Sequence, residues 1–141
     1  MAHKKSGEDE LLFVPLGGTE EIGMNFNLYG FGKPDSHDWI IIDLGITFGD
    51  DTTPSIDVIL PDPQFIEERK DKLAGIVLTH GHEDHLGAVP YLWERLRCPV
   101  YATPFTAALL RSKLEFDGMP KDIEIIEVPL SGKFDVGPFS I

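Results

Sequence analysis

Thr79-His80-Gly81-His82-Glu83-Asp84-His85 follows directly on the apolar run Ala74-Gly75-Ile76-Val77-Leu78. That run is short, β-branched in part, and bounded by Lys72 before it and polar residues after it, the pattern of a buried strand. Beyond His85, apolar residues recur at 86, 89, 92, 93 and 96, the spacing of a helix with one buried face over Leu86–Leu96. Four polar side chains are therefore expected on a loop between a rigid strand and a helix. In an extended segment residues two apart point the same way, so His80 and His82 can offer imidazole nitrogens to one ion. After the chain turns, Asp84 and His85 can address a second position. Imidazole with carboxylate suits zinc, manganese or iron. A lone histidine here would be a polar residue at a strand end; four such side chains at this spacing favour a metal site.

Upstream, Leu11–Leu16 reads as a first strand ended by Gly17-Gly18. The loop Gly18–Asn25 contains a Gly-x4-Gly frame, but Met24-Asn25 stands where a P-loop needs Lys-Ser/Thr, and two glutamates lie inside it. It is not a nucleotide loop. It serves either as a turn between strands or as a segment that shapes the site. Asn25–Phe31 and Trp39–Asp43 are expected strands, joined by a loop at 32–38 that leaves His37 exposed to solvent. Asp43 ends the apolar run Trp39-Ile40-Ile41-Ile42, where a carboxylate costs free energy unless it is paired. It either caps a turn or accepts a hydrogen bond from a ligating histidine, fixing its tautomer.

The turn-rich stretch Gly49–Pro54 has an acidic pair expected to be solvated. Gln64–Lys72 reads as a short exposed helix with Glu68 and Lys72 at i,i+4 spacing. Pro99–Ala102 is an expected strand, and Thr103 an N-cap for a helix from Pro104 to about Phe116, broken by Asp117–Pro120. Asp122–Leu130 begins with clean alternation and reads as a half-buried strand; Pro138–Ile141 starts another. Strands first, then strand–helix alternation, predict an α/β fold with a mixed sheet and outer helices.

At 141 residues the chain holds at most one domain. It contains no run of eighteen or more apolar residues. Met1–Glu10 is polar, lacks the apolar core of a signal peptide and is expected to be a disordered tail. The single cysteine, Cys98, excludes an internal disulfide and suits a cytoplasmic location, with packing as its expected role. With 24 acidic against 12 basic residues the net charge is -12, which argues against an extended grip on a polyanion by this segment. Two bound divalent cations would offset about four of those charges and create a local positive centre.

The string His80-Gly81-His82-Glu83-Asp84-His85 resembles the His-x-His-x-Asp-His signature of the metallo-β-lactamase superfamily. The diiron flavoprotein branch typically has glutamate where this chain has His82, so the match looks like a hydrolytic member. Further stretches are similar to the bacterial ribonuclease J group of the β-CASP nucleases in that superfamily. They are Pro15-Leu16-Gly17-Gly18, Glu21-Ile22-Gly23-Met24-Asn25, Ile42-Asp43-Leu44-Gly45, Asp57–Asp62 and Gly75–Leu92.

The resemblance implies the N-terminal portion of an αββα sandwich spanning residues 11–141. It implies two divalent ions, zinc with manganese as the alternative, held by His80, His82, Asp84 and His85, with Asp84 also a candidate proton acceptor. It includes an aspartate at the place of Asp43, favouring the histidine-orienting reading. It implies RNA as substrate, cut endonucleolytically and from 5′ to 3′ in the cytoplasm by a homo-oligomer, with RNA gripped mainly by parts beyond this chain. In that family further metal ligands and the β-CASP insertion follow later in the chain. With only His3 and His37 left over, the expectation is a truncated portion, inactive alone, that carries half a metal site. A hydrolase of a small ester, thioester or lactam, and a non-catalytic segment, are the alternatives.

Overall fold

The apolar segments that open the chain alternate inward and outward and pair as long strands: β1 (Glu10–Gly17), β2 (Phe26–Lys33) and β3 (Ser36–Leu44). The computed structural model describes residues 8–17, 24–48, 58–116 and 122–141. The expectations for residues 1–7, 18–23, 49–57 and 117–121 lie outside the described residues. The later elements are β4 (Thr47–Phe48), β5 (Val58–Ile59), α1 (Gln64–Glu67), β6 (Leu73–Val77), α2 (Glu83–Leu86), α3 (Val89–Leu96), β7 (Val100–Ala102), α4 (Pro104–Phe116), β8 (Ile125–Glu127), β9 (Asp135–Val136) and β10 (Phe139–Ser140).

Among the described residues six strands form one sheet in the order β1-β2-β3-β6-β7-β8. The β1–β2 and β2–β3 pairs are antiparallel; β3–β6, β6–β7 and β7–β8 are parallel. This is the expected mixed sheet. Its parallel half follows from the strand–helix alternation, because parallel neighbours need a crossover that packs on a face. The pleat sorts β3: Trp39 and Ile41 join the core under the helices, whereas Ile40 packs with Val77 and Val136 on the opposite face. On the helical side Leu86, Val89, Leu92, Trp93 and Leu96 are all buried, at about 1.5–3 kcal/mol for each large apolar side chain. The helical spacing read from the sequence thus marks the packed face.

Several boundaries differ from expectation. The helix expected over Leu86–Leu96 is two pieces, α2 and α3. Pro90 has no N–H to continue the ladder, and Ala88 N–H donates to Leu44 O at 3.0 Å instead. Asp84 and His85 therefore lie on the turn α2, not on a loop. The helix expected over Gln64–Lys72 stops at Glu67, followed by a 3-10 turn at Lys70–Lys72. There Arg69 Nη1 takes the Phe65 carbonyl at 2.7 Å while its N–H bonds Ile66 O. The i,i+4 pair of Glu68 and Lys72 is accordingly replaced: Lys72 faces Asp38 at 3.9 Å. His37 is on β3 rather than in a loop, because β2 continues to Lys33 and β3 resumes at Ser36. Its ring is 10% exposed and bonds Glu10 Oε1 at 2.8 Å. The strand expected over Asp122–Leu130 shortens to β8, since its partner β7 is three residues long.

Candidate metal centre

The parallel strands β3 and β6 pair, after a register shift at Trp39/Ile40, as far as Ile42 opposite Val77, where β6 ends and β3 runs on to Leu44. The histidine motif leaves β6 at this edge, and Leu78 N–H still bonds Tyr101 O at 3.0 Å before the chain turns. His80 and His82 lie in the segment after the strand, with His82 immediately before α2; Asp84 and His85 are on α2. One ligand atom each from His80, His82 and Asp84 lies within 4.8 Å of the others. The His85 ring lies 3.7 Å from that of His80, centroid to centroid and tilted 45° to it, and its Nε2 is 3.6 Å from Asp84 Oδ2. The expected division into a His80/His82 pair and an Asp84/His85 pair is less sharp in space: Asp84 stands with both groups.

Asp43, 4% exposed, organises the imidazoles from behind. Its Oδ1 accepts from Thr79 N–H at 2.7 Å, and its Oδ2 from the Thr79 hydroxyl at 2.7 Å. His85 Nδ1 lies 2.8 Å from the same Oδ2. A carboxylate accepts, so Nδ1 carries the His85 proton and Nε2 keeps its lone pair. The Thr79 hydroxyl, having donated to Asp43, is left to accept from His80 Nδ1 at 3.0 Å. One buried carboxylate thus sets two tautomers, His85 directly and His80 through Thr79. Of the two roles the sequence left open for Asp43, the contact with an imidazole of the motif, which the resemblance favoured, is present. Sequence reasoning missed Thr79, since nothing in a strand-end threonine announces a partner 36 residues away.

The turn α2 is fixed by main-chain bonds. Ile46 N–H donates to Glu83 O at 3.0 Å, and Ala88 N–H to Leu44 O. Gly45 packs so closely that a β-carbon there would fall on the Asp84 carbonyl. From the other side Lys113 on α4 pairs with Glu83 Oε1 at 3.1 Å, and Leu109 lies over Gly81. His37 is at the start of β3, whereas the motif packs at its end, and it does not join the cluster. Cys98 is buried beyond α3, where its carbonyl accepts from Trp93 Nε1 at 2.8 Å.

Two imidazoles and a carboxylate within this span, backed by a carboxylate that orients a neighbouring imidazole, form a donor set that fits a divalent metal ion. Residues 32–138 match the Metallo-beta-lactamase superfamily, and the chain belongs to that superfamily. The fold agrees: the BLEG-1 B3 metallo-beta-lactamase superposes with a TM-score of 0.51 at 21% identity, over 93% of this chain and 58% of that one. Within the superfamily, the chain is 45% identical over 139 residues to Ribonuclease J of Sinorhizobium meliloti (strain Sm2011 / Rm2011 / 2011), covering 99% of this chain and 25% of that protein. It is 41% identical over 108 residues to Ribonuclease J of Helicobacter pylori (strain ATCC 700392 / 26695), covering 77% of this chain and 15% of that protein. The chain therefore spans a quarter or less of the length of these relatives. Among the described residues no helix is long and apolar enough to cross a membrane.

Proposed function

We propose that this chain is the N-terminal part of a metallo-β-lactamase domain in a cytoplasmic ribonuclease, one that hydrolyses RNA phosphodiesters endonucleolytically and from the 5′ end. The observation that carries the reading is the convergence of His80, His82 and Asp84 donor atoms in a chain 45% identical to a Ribonuclease J. His80 and His82 would hold one divalent ion, and Asp84 and His85 a second, with zinc favoured and manganese the alternative. Such ions supply Lewis-acid chemistry, acidifying water and neutralising charge that develops on phosphate oxygens. Asp43 and Thr79 hold the imidazoles of His85 and His80 with their Nε2 lone pairs available. Asp84, standing among the imidazoles, is the proposed acceptor of the proton lost by the attacking water. With a net charge of -12, this segment leaves most of the RNA grip to other parts of a homo-oligomeric protein.

The test is His82→Ala in the full-length protein, assayed on a 5′-monophosphorylated RNA oligonucleotide at saturating metal. Cleavage is expected to vanish while the circular dichroism spectrum and melting profile stay those of a folded protein. An unchanged cleavage rate would overturn the assignment.

A further inference from the structure

We propose that Asn25 is a positioning residue of the metal centre, its side-chain amide holding the Asp84–His85 turn against the end of β3. The proposal rests on the metal-centre reading above, and it takes up the loop before β2 whose role the sequence left open. The helical turn α2 is one turn long, so the Asp84 carbonyl has lost its regular partner: the N–H four residues on, that of Ala88, goes to Leu44 O. Asn25 supplies two replacements. Its backbone N–H and its Nδ2 both donate to Asp84 O at 3.0 Å. Its own carbonyl accepts from Gly45 N–H at 2.9 Å, so one residue joins the end of β3 to the turn that carries two of the four motif side chains.

The amide is oriented by this network. Nitrogen must face the Asp84 carbonyl, which places Nδ2 3.4 Å from His85 Nε2, the nitrogen left with a lone pair by the bond to Asp43. His85 is thereby bracketed, with Asp43 on its Nδ1 and Asn25 beside its Nε2. The backbone bond from residue 25 survives any side-chain substitution other than proline. What the amide adds is a second bond on Asp84 O and a neighbour for the His85 ring, and both act on residues of the centre.

The experiment compares Asn25→Asp and Asn25→Ala with wild type in the full-length protein, titrating Zn2+ against a chelator and recording the absorption spectrum with Co2+. Asn25→Asp is isosteric but turns an oxygen toward the Asp84 carbonyl; Asn25→Ala removes the amide without adding charge and carries the measurement if the first variant does not fold. Zn2+ affinity is expected to fall by roughly ten- to a hundredfold, the usual loss when a group behind a ligand is removed, with an altered Co2+ spectrum. Wild-type affinity and spectrum in a folded variant, whatever its melting temperature, would overturn the proposal. Failure of both variants to fold would overturn it too, since the amide would then serve the fold and not the centre. Metal uptake that depends on Asn25 in a protein that cleaves no RNA would support the positioning role while sinking the ribonuclease assignment. A wild type that takes up neither Zn2+ nor Co2+ would overturn the metal centre and this proposal with it.

Discussion

Asp43 has a left-handed backbone, with φ of 67°, a conformation that aspartate and asparagine tolerate better than most residues. An asparagine in its place would therefore keep the backbone and change only the chemistry. Three donors converge on the two carboxylate oxygens, and an amide has one acceptor oxygen to offer them. Asp43→Asn in the full-length protein is expected to weaken metal affinity by roughly ten- to a hundredfold, measurable by calorimetric titration. Wild-type affinity with a lowered melting temperature would return Asp43 to a turn-capping role. The residue was legible as a buried carboxylate at a strand end; its route to His80 was not, because that route depends on where one hydroxyl proton points. Cys98 is the opposite case, a reactive group silenced by its place. Burial pushes its thiol up to about 12. The native state thus holds this proton more tightly than the unfolded chain does. Stability is untouched below the unfolded thiol pKa of about 8.5 and falls as pH climbs from there through the folded value. At pH 8, iodoacetamide is expected to leave native Cys98 unmodified and to label it fully in denaturant, as mass spectrometry would show.

At the scale of elements, the site depends on how α2 is seated. A β-carbon on Gly45 would meet the Asp84 carbonyl and lie 2.7 Å from His85 N. Both obstacles are backbone, so no rotamer change relieves them. Gly45→Ala is expected to cost about 1–3 kcal/mol or more through overpacking, to lower the melting temperature by roughly 5 °C, and to weaken Zn2+ binding by displacing α2. Unaltered melting and metal affinity would show that the turn is not seated on Gly45. Elements with a long apolar period were readable: α4 has the bounds expected from Thr103-Pro104, and β6 lies where the run 74–78 put it, within a residue. The paired segments β4 and β5, two residues each, lack any period to read. The breaks after Glu67 and Leu86 were hidden for another reason. Neither shows in the apolar spacing: the Arg69 guanidinium takes Phe65 O, and Pro90 lacks an N–H while Ala88 N–H goes to Leu44 O.

At the scale of the molecule, the question is whether residues 1–141 can work alone. The motif offers four candidate ligands, and the sequence has two other histidines. Of these, His37 is held by Glu10 at the far end of β3. A catalytic pair of ions needs further ligands to hold both ions and keep a coordination place for water. Asp84 and His85 would give a second ion two protein ligands, so it should be lost first, while His80 and His82 retain a weakly held one. The sheet raises a separate problem. Among the described residues β1 is an edge strand, with Leu11 64% and Phe13 51% exposed, apolar surface that favours association. The isolated polypeptide 1–141 is therefore expected to show no multiple-turnover cleavage of a 5′-monophosphorylated RNA with excess zinc or manganese. It should bind less than one tightly held ion per chain and elute as associated species in size-exclusion chromatography. Turnover near that of the full-length protein would mean that His80, His82, Asp84 and His85 suffice for the reaction, and the two-ion assignment would have to be rebuilt around a complete site within these residues.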